Sequence, residues 1–133
     1  MFTKARNVFF ALLGATGLVL KRRYSGPYQE AVHSYGGNIS ASFAVYFVVT
    51  QLPFHSRFKK LLAAGLALAV VELFEALNGF GLMTNVYDQT DFAANAVGIA
   101  LALAVDTVAS GISSRRSNHG GQTAAEIGGR PAV

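Results

Sequence analysis

The residues of this chain that are able to do chemistry sit where they are least comfortable. Glu72 and Glu75 stand near the end of one apolar stretch, with Asn78 just beyond. Asp88, Asp91 and Asn95 open the next, and His33 precedes another. A carboxylate within an apolar membrane segment costs about 2.5–3.5 kcal/mol on an insertion scale, so it is retained for a reason. On a helix, residues three or four apart share a face. By that rule Glu72, Glu75 and Asn78 form one line. Asp88, Asp91 and Asn95 form a second, which Gly98 and Ala102 extend, and His33, Gly37, Ser40 and Ala44 form a third. Acids, amides and an imidazole converging at one end suit the binding of a polar head group. Hydrogen bonding between helices is the plainer use, worth about 0.6 kcal/mol per residue.

Glu72 lies eleven residues beyond Leu61, roughly 16 Å along a helix axis. At that depth the sequence predicts that it is protonated, paired with His33, or hydrogen-bonded to Asn95. Other chemistries fit poorly. There is no cysteine, which excludes disulfides, thiolate metal sites and cysteine nucleophiles. His33 and His55 fall at opposite ends of a span, so one chain cannot ligate a haem through both. Imidazole and carboxylate are acceptable metal ligands, but the Glu72/Glu75 pair lacks the two-histidine helical spacing of zinc proteases. No metal or cofactor is expected, and no serine–histidine–aspartate motif is present.

The elements that must position these residues follow from hydropathy. Of 133 residues, 52% are hydrophobic and 14% charged, which places the chain in the membrane class. Four apolar stretches run from Val8 to Leu20, about Ile39 to Leu52, Leu61 to Leu77 and Phe92 to Ile112. A span needs roughly 17–25 residues. The third and fourth stretches suffice alone. The second does if its helix starts upstream near Tyr28 or His33. The first is short and bracketed by basic residues, as a short span with snorkelling ends or a tilted interfacial helix would be. The expected fold is therefore all-α: a small polytopic membrane bundle, four transmembrane helices over residues 1–112, followed by a flexible Gly/Ser/Arg-rich tail over 113–133.

Four spans put Lys4, Arg6, Arg57, Lys59, Lys60, Arg115, Arg116 and Arg130 on one side and Lys21, Arg22 and Arg23 on the other. Eight against three favours both termini in the cytoplasm, whereas five against six, if the first stretch does not span, leaves orientation undecided; a multi-pass protein of the inner (cytoplasmic) membrane is expected. The net charge of +4 is spread over membrane flanks and is no nucleic-acid footprint. Tyr24, Tyr28, Tyr35 and Tyr87 fall at the outer boundary, as an aromatic belt does.

The fourth stretch opens Tyr87-Asp88-Gln89-Thr90-Asp91-Phe92-Ala93-Ala94-Asn95-Ala96-Val97-Gly98. This resembles the D-x-x-D-hydrophobic-x-A-N-x-x-G signature of VanZ-like membrane proteins. Val71-Glu72-Leu73-Phe74-Glu75-Ala76-Leu77 is similar to the acidic motif that closes the preceding helix in that family. His33 and Tyr35 resemble its K-x-x-H-F-x-x-Y element, with Glu30 at the Lys position and Ser34 at the Phe position. The resemblance covers about residues 28–108. It implies an all-helical bacterial cell-envelope protein of four or five spans, whose best-known member confers low-level resistance to a teicoplanin-type glycopeptide. It also implies a polar site at His33, Glu72, Glu75, Asp88, Asp91 and Asn95. The basic residue usual between the last two spans is missing here, since residues 78–90 hold no Lys or Arg.

Two functional readings lead. One is a VanZ-like protein that binds a lipid or amphiphile head group at the acidic cluster. The other is a non-catalytic accessory subunit of a larger membrane complex, electron-transfer or photosynthetic, with membrane lipids and other subunits as partners. An enzyme using Glu72 or Asp91 as general base ranks third.

Overall fold

A computed structural model describes the backbone of residues 2–77 and 89–128, and the side chains of 3–77 and 89–114. Its described secondary structure is entirely helical: α1 (Phe2–Lys21), α2 (Gln29–Val49), α3 (Lys59–Ala76) and α4 (Gln89–Gly128). The chain divides into two compact units, Met1–Leu103 and Ala104–Val133, with the division falling inside α4.

Local chemistry sets the helix ends. After α1 the chain turns through Gly26-Pro27, and Tyr28 takes a left-handed conformation at φ 61° to start α2. That conformation is strained for a residue with a Cβ. Thr50 closes α2 with its N–H on the Tyr46 carbonyl at 2.9 Å, and Pro53 follows where no helix can continue. Before α3, Ser56 Oγ accepts the Phe58 N–H at 3.1 Å.

α1 lies antiparallel along α2 for nearly its whole length. Asn7 Nδ2 donates to Thr50 Oγ1 at 3.0 Å. One turn on, the Phe10 and Phe47 rings are 5.0 Å apart. Next, Gly14 faces Ala44 and the Ser40 carbonyl, and Gly17 faces Ser40 Oγ. At the far end Lys21 Nζ donates to the His33 carbonyl at 3.0 Å and covers Gly37. Small residues permit this approach, as in membrane helix pairs. The first apolar stretch is thus a helix packed along most of the second.

Among the described residues one helix, Gln89–Ser114 within α4, is long and apolar enough to cross a membrane by length and composition, with mean hydropathy 1.8. The others are diluted by polar ends. α1 contains Lys4, Arg6, Asn7 and Lys21, α2 opens with Gln29, Glu30 and His33, and α3 has Lys59 and Lys60 at one end and Glu72 and Glu75 near the other. The tail expected to be flexible from residue 113 is helical as far as Gly128. No proline interrupts it before Pro131, and the Ala124-Ala125-Glu126 run favours helix.

Many large apolar side chains lie on the surface, and several polar ones are enclosed. Phe9 and Leu12 on α1 are 61% and 62% exposed, and Leu61 and Leu73 on α3 are 60% and 58% exposed. Val97 and Leu101 on α4 are also exposed. Asn7, Ser42, Asp91 and Asn95 are buried, beside Tyr46, Phe47, Ala63, Ala67 and Ala102.

Candidate functional site: a polar network joining three helices

Asn95 is the centre of the site. It sits two turns into α4 and is 3% exposed. The Ser42 hydroxyl of α2 donates to its Oδ1 at 2.6 Å, with the Asn38 carbonyl at 2.7 Å as the alternative acceptor for the same proton. On its other side Asn95 makes a side-chain hydrogen bond to Glu72 of α3. With Oδ1 committed to Ser42, the amide Nδ2 is the donor to the carboxylate. One amide therefore ties α2, α3 and α4 together.

One turn toward the α3 C-terminus, Glu75 hydrogen-bonds Asp91 in the first turn of α4. Asp91 is buried, Glu75 partly so. Glu72 has one buried oxygen, Oε2, with no hydrogen-bond partner among the described residues. The network thus ends on an open acceptor beside two neighbouring carboxyl groups, Glu75 and Asp91.

Gly98, one turn below Asn95, makes the approach of α2 and α4 possible. A Cβ there would stand 2.5 Å from the Ile39 carbonyl oxygen and 2.9 Å from Ser42 Cβ. The 91–95–98 face of α4 is therefore the face turned to α2 and α3.

Four of the six residues singled out in the sequence, Glu72, Glu75, Asp91 and Asn95, are brought together. Asp88 lies outside the described residues, as does Asn78. His33 belongs to a different group: its Nε2 bonds the Tyr24 carbonyl at 3.0 Å and its own carbonyl accepts from Lys21. Of the partners open to Glu72 in the sequence, Asn95 is the one beside it, and His33 is held elsewhere. The reason is the orientation of α2. The 37–40–44 line of small residues, expected to face the acids, is instead the surface on which α1 packs. Ser42, roughly opposite on the helix wheel, faces α4. The Asn38–Ser42 pair at i, i+4 was the available signal for it.

The depression nearest His33, lined by Tyr28, Gln29, Glu30, His33 and Ser34, is on the first turns of α2. Among the described residues no group of three or more His, Asp or Glu side chains is arranged to hold a metal ion. Comparison with known proteins finds no matching family model, no matching curated protein and no matching solved structure.

Proposed function

We propose that the chain is a VanZ-like polytopic membrane protein of the bacterial inner membrane. In this reading its four helices span the bilayer with both termini cytoplasmic, and the Ser42–Asn95–Glu72 and Glu75–Asp91 network receives a lipid or amphiphile head group. The observation that carries the reading is that Asn95 and Asp91 are buried while Phe9, Leu12, Leu61 and Leu73 are exposed. In water that surface would drive association; in lipid it is the expected exterior. The end-to-end match of α1 with α2 supports four spans, because two helices so paired cross together. The resemblance is supported by the joining of Glu72, Glu75, Asp91 and Asn95, the positions that carry it.

The ligand chemistry follows from the site. It offers acceptors, including the open Glu72 Oε2, and no cation among its described members. A head group rich in N–H or O–H donors suits it better than a bare phosphate. Amide variants Glu72→Gln and Asp91→Asn test this: a folded variant that loses binding to a donor-rich amphiphile supports a site, and loss of the fold leaves only helix-joining glue.

The second reading, an accessory subunit without catalysis, is favoured by the broad exposed apolar face of α1. Native mass measurement after gentle detergent extraction separates the two: a lone chain favours the site, and a stoichiometric complex favours the subunit.

A further inference from the structure

The α1–α2 turn holds three consecutive cations, Lys21, Arg22 and Arg23, and residues 21–37 contain one acid, Glu30. No ion pair to any of the three is formed among the described residues: Lys21 Nζ is on the His33 carbonyl, and Arg22 and Arg23 are exposed. Lys21 is the informative one. Its chain is half-buried across Gly37, eight residues into α2, so its ammonium is partly desolvated and meets a single neutral acceptor. An ammonium has three donors, and a partly buried cation without a counter-charge is costly. The helix dipole of α1 favours a cation at this terminus, but that accounts for Lys21 alone and not for the two arginines beyond the helix. Around the turn, Tyr24, Tyr28 and Tyr35 are exposed, Tyr28 most of all at 85%. Exposed tyrosines beside apolar helix ends mark the head-group level of a bilayer.

We propose that this turn binds the phosphate of an anionic phospholipid. Arg22 and Arg23 present planar donor forks that match phosphate oxygens, and Lys21 supplies a fixed charge at the base. The proposal rests on the membrane reading above and concerns a different site from the acidic network. Each basic side chain near an anionic lipid surface contributes about fivefold, so the two arginines together contribute roughly 30-fold.

The test uses the full chain and the R22Q/R23Q variant, each reconstituted into lipid vesicles to check insertion and, separately, purified in mild detergent and titrated with phosphatidylglycerol or phosphatidylcholine. The wild type is expected to prefer phosphatidylglycerol, and the variant to lose about 30-fold of that affinity while melting at the wild-type temperature, since both arginine side chains are exposed. Equal binding of the two lipids, or unchanged phosphatidylglycerol binding in the variant, overturns the proposal. Displacement of phosphatidylglycerol by equimolar inorganic phosphate overturns it too, in favour of a free-anion site. A chain that reconstitutes into neither lipid sinks the membrane reading itself, which is a separate result.

Discussion

Replacing Gly98 by alanine tests the closest approach in the fold. The added Cβ would lie 2.5 Å from the Ile39 carbonyl oxygen and 3.0 Å from Ile39 Cα. A relaxed carbon–oxygen contact is about 3.3 Å, so α2 and α4 must separate by roughly 0.8 Å. The nearest obstructing atom is backbone, and Ser42 Cβ is fixed to its own backbone, so nothing can swing aside. The same displacement would stretch the Ser42–Asn95 bond from 2.6 Å beyond useful length. Overpacking costs about 1–3 kcal/mol and the lost hydrogen bond about 1 kcal/mol, against about 1 kcal/mol regained from helix propensity. The net expectation is a loss of about 2 kcal/mol, near 30-fold in the folding equilibrium. Gly65→Ala is the matched control, because nothing lies within 4 Å of its Cβ position; it should stabilise by about 0.5–1 kcal/mol. Thermal unfolding of both variants in one detergent decides the matter. If Gly98→Ala is as stable as Gly65→Ala, the α2–α4 contact described above is wrong.

Asn95→Leu should cost about 2–3 kcal/mol, because it strands the Glu72 carboxylate and removes the Ser42 partner; chemical denaturation in detergent reads this, and a neutral result contradicts the three-helix bridge. Glu75→Gln should fold as well as wild type, since its amide N–H can donate to the neighbouring Asp91 carboxyl, whereas Glu75→Ala should lose about 1 kcal/mol; equal melting of the two would contradict the pair. Thr50→Val should lose about 1 kcal/mol by depriving buried Asn7 of its acceptor, measured as a shift in melting temperature. Gly37→Ala should be milder than Gly98→Ala, because the atoms displaced are the flexible end of Lys21; comparison of their unfolding midpoints checks the ranking.

The acidic site was legible in the sequence where one helix sufficed to define it. Asp91, Asn95 and Gly98 share a face of α4 by spacing alone, and Glu72 with Glu75 share one of α3. What spacing does not provide is the rotation of one helix against the next. On α2 two lines compete: small residues at 37, 40 and 44, and a polar pair at 38 and 42. Both can pack closely, and the choice depends on α1, whose Gly14 and Gly17 complement the first line. Once α1 takes that face, His33 is drawn to Lys21 and Tyr24 and leaves the acids, and Ser42 is turned toward Asn95. The all-helical class was legible from apolar run lengths. The helical course of α4 beyond residue 113 was not, because glycine and serine there gave no apolar periodicity while nothing actually breaks the helix before Gly128.

The central claim is that lipid covers the exposed leucines and phenylalanines while polar side chains are enclosed. The chain has no native cysteine, so single cysteines can be placed at Leu12, Leu66 and Leu101 without background and spin-labelled in phosphatidylcholine vesicles. Collision of each label with oxygen, which partitions into hydrocarbon, should far exceed collision with a water-soluble nickel chelate at all three positions. Chelate access at those positions equal to that at exposed Arg22 would contradict the account.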